Sequence, residues 1–247
     1  MTARDQNEPR TSGLLELVAV MDRLRRECPW DREQTHRSLV RYLLEESHEV
    51  IEAIEGLDQP GEPDGATHLR EELGDLLLQV YFHARLAQER AEDPFDIDDV
   101  ARGIVEKMVR RHPHVFGDTQ AADAAEVRTN WETIKAAEKQ RDSVLDGIAP
   151  TLPGLSLADK VLARAERAGI TPAPASLPYV SALEGAASER SRRGVTGEGD
   201  AETVVGEELL AAVVRARELG VDPELALRSA VRRFSAEVRA QESAAPR

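Results

Sequence analysis

Residues 39–54 read LVRYLLEESHEVIEAI, and the apolar residues of this stretch recur at the spacing of an α-helix. Residues three, four or seven positions apart share one helix face, so a single apolar stripe is formed by Leu39, Leu43, Val50 and Ile54. Glu46 lies on the same stripe, three positions after Leu43 and four before Val50. A carboxylate within a buried stripe loses hydration on folding and therefore needs a partner that neutralises it.

Residues 67–80, THLREELGDLLLQV, repeat this arrangement. Their apolar stripe runs through Leu69, Leu73, Leu76, Leu77 and Val80. Glu72 interrupts this stripe as Glu46 interrupts the first one. A second acid follows each of them one turn later, at Asp75 and Glu49. Two helices therefore each point a pair of carboxylates towards the interior of a helical bundle or towards its mouth.

The rest of the chain also shows helical periodicity, and no alternating apolar run typical of a strand stands out. A stripe within residues 14–21 stops before a predicted turn at Cys28-Pro29-Trp30-Asp31. Further helices are predicted around residues 100–108, after an N-cap at Asp96, and around residues 127–134, 209–219 and 225–234. We therefore predict an all-α fold built as a helical bundle.

Prolines and glycines divide this bundle into segments. We predict a disordered N-terminus at residues 1–11, a helical domain at residues 12–150 and a second helical unit at residues 151–247. The connection between the two helical units is predicted over residues 143–155, which contain two prolines and a glycine near their end.

Two further segments lack a strong helical pattern. Residues 59–65 are rich in proline and glycine and are predicted to form a loop. Residues 171–201 are rich in Ala, Ser, Pro, Gly and Glu and have only a weak apolar pattern, which indicates a segment of low order, either a poor helix or a partly disordered loop. After them, Gly206-Glu207-Glu208-Leu209 precedes a helix and an Asp-Pro turn, much as Gly74-Asp75-Leu76-Leu77 does earlier. This similarity predicts an internal duplication with a shortened second copy.

The 247-residue chain has a formal net charge of −14, and 41% of its residues are hydrophobic. The apolar content suffices for a core, and the negative charge argues against a binder of nucleic-acid polymers. A small anion can still bind to carboxylates through a bridging divalent cation. Cys28 is the single cysteine, and neither an apolar leader nor a membrane-spanning window is present. We expect a cytoplasmic protein that does not associate with membranes.

The paired acids predict a metal site formed by Glu46, Glu49, Glu72 and Asp75. Carboxylates that lie close together repel one another, and a divalent cation relieves the repulsion. Ligands that are all oxygen favour Mg²⁺, with Mn²⁺ as an alternative. Two other interpretations remain open: surface ion pairs, and a di-iron centre. Glu45 and His48 have the spacing of a di-iron site, but the second helix has no matching Glu-x-x-His.

Basic and aromatic side chains are candidates for substrate binding. Lys107 and Arg111 lie one turn apart, where they can reach phosphates or instead extend along a solvated face. Trp131 and Lys135 have the same spacing, and Trp131 is equally suited to anchor the core. Trp30 is suited either to stacking on a base or to a purely structural role in which its ring fills space in the fold.

The order of these motifs resembles the MazG family of nucleoside triphosphate pyrophosphohydrolases, which belongs to the all-alpha NTP pyrophosphatase superfamily. The residues that carry the resemblance are Cys28-Pro29-Trp30-Asp31, Gln34-Thr35, Glu45-Glu46-x-x-Glu49, Glu71-Glu72-Leu73-Gly74-Asp75, Lys107-x-x-Arg110-Arg111-His112-Pro113-His114-Val115-Phe116 and Trp131-x-x-Ile134-Lys135. They cover residues 14 to about 155, and as an ordered set they are highly specific.

The resemblance implies an enzyme that hydrolyses nucleoside triphosphates between the α and β phosphates, in sanitation or control of the nucleotide pool. It implies that Mg²⁺ is held by the four acids, Glu46, Glu49, Glu72 and Asp75. The triphosphate is then contacted by Lys107, Arg111 and Lys135, and Trp131 shapes the pocket. A homodimer is also implied. The alternative is a non-catalytic helical dimer that binds nucleotide or protein, and retention of all four acids favours the enzyme.

The second unit departs from the two-site members of the family. Val204 stands where Glu-x-x-Asp has its first acid, and Glu207 stands where it has its aspartate. No Glu-x-x-Glu occurs around Leu183 and Glu184. The resemblance therefore implies a degenerate second repeat without an active site.

Overall fold

The computed structural model describes residues 12–57, 65–138, 142–170 and 198–244. Within these ranges every regular element is a helix, which confirms the predicted all-α fold. The helices are α1 (Gly13–Glu27), α2 (Pro29–Glu33), α3 (His36–Gly56), α4 (Gly65–Ala87), α5 (Ile97–Arg111), α6 (Pro113–Phe116), α7 (Ala124–Ala137), α8 (Gly154–Arg167), α9 (Glu198–Glu218) and α10 (Pro223–Ala244).

The chain divides into two compact units, Met1–Glu138 and Lys139–Arg247. The first contains α1 to α7, and the second contains α8 to α10. The sequence predicts the boundary of the catalytic domain near residue 150, whereas the turns that precede α8 belong to the second compact unit. The assignment of residues 151–247 as a degenerate repeat stays a prediction.

The core of the first unit lies between α1, α3 and α4. Its buried residues are Met21, Leu39, Tyr81, Phe82 and Leu86. Burial of each large apolar side chain contributes about 1.5–3 kcal/mol, so this cluster fixes α3 against α4. Glu46 follows Leu39 by two helical turns on α3, and Asp75 precedes Phe82 by two turns on α4. The core therefore determines how the acid-bearing segments of the two helices meet.

Side-chain caps determine where α3, α5 and α7 begin. The Thr35 hydroxyl accepts from the Ser38 N–H at 3.1 Å, and the Ser38 hydroxyl accepts from the Thr35 N–H at 2.9 Å. Asp96 and Asp99 form the same reciprocal pair at the start of α5, which confirms Asp96 as its N-cap. The Asp123 carboxylate accepts from two backbone N–H groups at the start of α7. Each cap satisfies donors that the first helical turn leaves free.

The second unit packs α8 against α9 and α10. Val213 of α9 is fully buried, and Leu162 of α8 is almost fully buried. Arg217 of α9 donates to Asp159 and Glu166 of α8, at 2.7 Å in each case. These contacts hold α8 and α9 together, as expected of a packing element.

Three local predictions need correction. Residues Pro29–Glu33 form a short helix instead of a turn, because Pro29 is well suited to the first position of a helix. Gly65, predicted as loop, is the first residue of α4. Helix α9 begins at Glu198, so the last residues of the predicted low-order segment 171–201 are helical. The rest of that segment, residues 1–11 and residues 58–64 lie outside the described residues. Among the helices that the structure describes, none combines the length and the apolar character needed to span a bilayer.

Candidate metal centre and active site

Three of the four predicted acids meet between α3 and α4. Glu46 of α3 and Glu72 and Asp75 of α4 each place one carboxylate oxygen within 4.8 Å of the others. Glu46 and Glu72 are half-buried and Asp75 is exposed, so the group opens to solvent at the edge of the helix pair. No other group of three or more potential metal ligands of this kind occurs in the part of the chain that the structure describes.

The surroundings of Glu46 oppose its ionisation. Burial raises the pKa of Glu46 to about 7, with further contributions from the charge of Asp75, a hydrogen bond with Glu49 and the charges of Glu49 and Glu72. A divalent cation would remove this repulsion. Oxygen donors from two helices, with one side open to solvent, suit a cation such as Mg²⁺ that retains several waters. The residues therefore fit an oxygen-liganded divalent cation.

Glu49 occupies a more peripheral position than the other three acids. It is exposed and does not belong to the group within 4.8 Å, although it is near enough to Glu46 to help raise the pKa of that residue. Its place as a fourth ligand stays a prediction. Glu45 and His48, the pair that suggests a di-iron centre, are both exposed, and the described acid group contains no histidine. The geometry thus favours a ligand set of oxygens alone.

His68 is a member of the site that the sequence analysis missed. Its Nδ1 lies 3.2 Å from Oε1 of Glu72, one helical turn away, and Glu72 retains only 14% side-chain exposure. This contact places an imidazole ring directly beside the Glu72 carboxylate. The spacing of four positions before a predicted ligand was the available signal, because such residues are neighbours on a helix surface.

The pKa of Glu46 predicts how the metal-free protein responds to pH. The pKa of the Glu46 carboxyl is about 4.5 in the unfolded chain and about 7 in the folded protein. Its contribution to the stability of the folded protein is therefore fully present below pH about 4.5 and is lost as pH rises to about 7. In chelator at pH about 8, we expect Glu46→Gln to be about 1–2 kcal/mol more stable than the wild type, because one pKa unit corresponds to about 1.4 kcal/mol and partial exposure weakens the effect.

Thermal unfolding followed by circular dichroism from pH about 4 to about 9 measures this difference. Glu71→Gln is the matched control, because Glu71 is the exposed neighbour of Glu72 and should leave the pH profile unchanged. Identical pH profiles for the wild type and Glu46→Gln would contradict the assigned repulsion.

Trp30 lies beside an open groove of about 620 Å³ at the start of α3. The groove is lined by Trp30, Gln34, Thr35, Arg37, Ser38, Arg41 and Tyr42. The indole makes edge-to-face contacts with Tyr42 and Phe82, with ring centroids 5.8 and 6.3 Å apart, and retains 48% exposure. One side of the ring is thus anchored to the core while the other remains accessible. Its role in binding a base stays a prediction.

Arg111, predicted to bind phosphate, and Trp131, predicted to shape the pocket, contact each other. The Arg111 guanidinium lies over the Trp131 ring, 5.1 Å from its centroid, and the His112 ring meets Trp131 edge-on at 4.9 Å. Arg111 is buried and forms an ion pair with Glu138, which the sequence analysis did not identify. Trp131 is half-buried, so it combines packing with access to solvent.

The two predicted lysines differ in their partners. Lys135 of α7 lies 3.4 Å from Glu132 and is half-buried. Lys107 of α5 is also half-buried and forms no ion pair with the residues that the structure describes. Both roles in triphosphate binding stay predictions.

Comparison with known proteins matches part of the first unit to a known domain family. Residues 34–116 match the family model described as the MazG nucleotide pyrophosphohydrolase domain. These residues include all four predicted metal ligands together with Lys107 and Arg111. The match therefore spans α3, α4 and α5, the helices that carry the four acids, Lys107 and Arg111.

Several relatives are similar over most of the chain. An uncharacterised 26.1 kDa protein from Streptomyces cacaoi is 45% identical over 93% of this chain and 82% of the relative. A Thermotoga maritima protein named nucleoside triphosphate pyrophosphohydrolase/pyrophosphatase MazG is 40% identical over 90% of this chain and 84% of the relative. An Escherichia coli K12 protein named nucleoside triphosphate pyrophosphohydrolase is 39% identical, over 88% and 82% respectively.

Proposed function

Because the chain belongs to the MazG nucleotide pyrophosphohydrolase family, we propose that it is a Mg²⁺-dependent enzyme that hydrolyses nucleoside triphosphates to a nucleoside monophosphate and pyrophosphate. We further propose that this activity removes or controls triphosphates in the nucleotide pool. The observation that carries the proposal is the group of Glu46, Glu72 and Asp75 oxygens within 4.8 Å of one another. Such a group is unfavourable by itself and becomes favourable with a divalent cation.

Glu46, Glu72 and Asp75 would hold Mg²⁺, with Glu49 beside them. Bound Mg²⁺ would neutralise phosphate charge and lower the pKa of a coordinated water, as it does in other phosphoryl-transfer enzymes; Mn²⁺ is the natural substitute. His68 would keep the Glu72 carboxylate oriented towards the site. In this proposal no side chain forms a covalent bond with the substrate, because positioning and charge stabilisation account for most of the catalysis of phosphoryl transfer.

Cationic side chains of α5 and α7 would bind the phosphates. Lys107 and Arg111 of α5 and Lys135 of α7 are the residues that we assign to this role. Trp131, which holds the Arg111 guanidinium against its ring, would shape the adjacent part of the pocket. The exposed side of Trp30 would accept the base by stacking. Glu45 is exposed on α3 next to Glu46 and is a candidate to accept a proton from the attacking water.

A homodimer is part of the proposal. Helix α5 exposes several apolar side chains, each with a relative exposure between 38% and 59%: Val100, Ile104, Val105 and Val109. A second copy packed against such a surface would bury it and stabilise the pair. Sedimentation of the full chain, which separates monomer from dimer by mass, tests this expectation.

The experiment that tests the function is a substrate panel. Canonical and altered nucleoside triphosphates are incubated with the purified full chain and Mg²⁺, and monophosphate, diphosphate, pyrophosphate and phosphate are separated. We expect pyrophosphate from one or more members of the panel, and comparison of rates identifies the preferred base and sugar. A panel without any triphosphate hydrolysis would contradict the enzyme and favour a nucleotide-binding dimer.

A further inference from the structure

Glu138 joins two arginines at the end of α5. Its Oε1 accepts a hydrogen bond from Nε of Arg110 at 2.7 Å, and its Oε2 accepts from Nε and Nη2 of Arg111 at 3.2 and 2.5 Å. Glu138 is the residue after α7, so the contact connects the ends of two helices. It is shielded from water, since the side chains of Arg111 and Glu138 are 6% and 16% exposed.

The Glu138 carboxylate accepts hydrogen bonds from N–H groups that could also bind a phosphate group. Arginine binds carboxylates and phosphates through the same planar fork of N–H groups, commonly with two parallel hydrogen bonds. In Arg111 the fork formed by Nε and Nη2 is filled by Glu138, and the guanidinium also lies over the Trp131 ring. The guanidinium is therefore held in place but presents little free surface to an incoming anion.

Helix α7 does not itself favour an acid at this position. Glu138 is the C-cap, and the backbone carbonyls at a helix C-terminus form a negative end that disfavours a carboxylate. Hydrogen bonds from Arg111 and Arg110 lower the pKa of Glu138 to about 2, so the carboxylate is ionised at neutral pH. The two guanidinium groups, and not the helix, hold this charge.

We propose that Glu138 fills, in the substrate-free protein, the guanidinium fork of Arg111 that a substrate phosphate takes over on binding. The inference rests on the proposed function, because it requires Arg111 to bind the triphosphate. Arg110 is 54% exposed and also bound to Glu138, so the displaced carboxylate retains a cationic partner nearer to solvent. Substrate affinity is then set by competition between a carboxylate of the chain and a phosphate of the substrate.

Glu138→Gln tests the competition, because glutamine keeps the shape of the side chain but removes its charge. We expect KM for the triphosphate and the inhibition constant of the product pyrophosphate both to fall, roughly three- to tenfold, since hydrogen bonds to a charged acceptor are about twice as strong as neutral ones. The value of kcat should change less than about twofold, because the fork is free of Glu138 in both enzymes once substrate is bound.

A positioning role for Glu138 predicts the opposite result. If the carboxylate orients Arg111 for substrate, Glu138→Gln raises KM or lowers kcat, and either result overturns the proposal, as does an unchanged KM. Glu138→Asp distinguishes the effect of the contact with Arg111 from the effect of the negative charge. Aspartate keeps the charge, but its side chain is one carbon too short to reach the guanidinium fork. It should also lower KM, and it provides a second test if the glutamine variant does not fold.

Two controls complete the experiment. Glu106→Gln removes one negative charge from an exposed position of α5, so a fall in KM there equal to that of Glu138→Gln would show a general charge effect and overturn the competition. Arg111→Ala tests the underlying function separately. It should raise KM or lower turnover while leaving metal binding intact, and unchanged kinetics would remove Arg111 from the substrate site regardless of how Glu138 variants behave.

Discussion

Glu46→Gln and Asp75→Asn are each expected to lower triphosphate turnover by a factor of about 100 or more while leaving the helical fold intact. Both changes remove a negatively charged oxygen from the group that would hold Mg²⁺. Loss of a residue that merely orients a metal ligand costs roughly 10- to 100-fold in affinity or activity, so loss of a ligand itself should cost at least as much. The fold should persist because removing one charge relieves repulsion in the metal-free state.

Initial rates at saturating Mg²⁺, together with calorimetric titration of Mg²⁺, measure both parts of this prediction. Glu52→Gln is the matched control, because Glu52 is an exposed acid of the same helix and should leave turnover and metal affinity unchanged. Wild-type turnover in Glu46→Gln would eliminate the assigned metal centre. A loss of activity in Glu52→Gln as well would indicate that general charge, and not metal ligation, is responsible.

Glu72→Gln is expected to abolish hydrolysis, whereas Glu207→Gln in the second unit should leave it unchanged. Glu72 belongs to a group of three acids that share a site, while the described residues of the second unit contain no such group. Val204, where a ligand would be required, is 43% exposed on α9, and Glu207 is half-buried. Among the described residues of the second unit, too few fixed oxygens are present to hold Mg²⁺ against its reluctance to lose water.

The two variants are compared in the full chain, with rates measured at equal protein concentration. Retention of about half of the activity in Glu72→Gln would mean that the second unit contains a working site. A large loss in Glu207→Gln, with an unchanged circular dichroism spectrum, would also contradict an inert second unit.

Periodicity made the centre of the site predictable from the sequence. Glu46 and Glu72 interrupt apolar stripes on successive helices, and two helices that bury such stripes against each other must bring the interrupting acids together. Glu49 was harder to place, because its position one turn from Glu46 does not determine on which side of the helix pair its carboxylate lies. The N-cap of α5 at Asp96 was predictable for a similar local reason, since a cap involves only neighbouring residues.

Contacts between distant residues could not be predicted from local spacing. Glu138 meets Arg111 across 27 positions, and this pairing depends on how the end of α7 approaches the end of α5. The short helix at Pro29–Glu33 was missed for another reason. Proline at its first position suits both a turn and a helix start, and five residues are too few to show a helical period.

We propose that Mg²⁺ held by the α3 and α4 carboxylates allows this chain to split a nucleoside triphosphate between its α and β phosphates. Phosphorus NMR of a single reaction measures both the metal dependence and the products: the purified full chain and a triphosphate that it cleaves are first observed in chelator, and excess Mg²⁺ is then added. We expect no change in chelator, followed by the appearance of monophosphate and pyrophosphate in equal amounts. Hydrolysis in chelator would show that Mg²⁺ is not required, and release of diphosphate and free phosphate after Mg²⁺ is added would show that a different bond is cleaved.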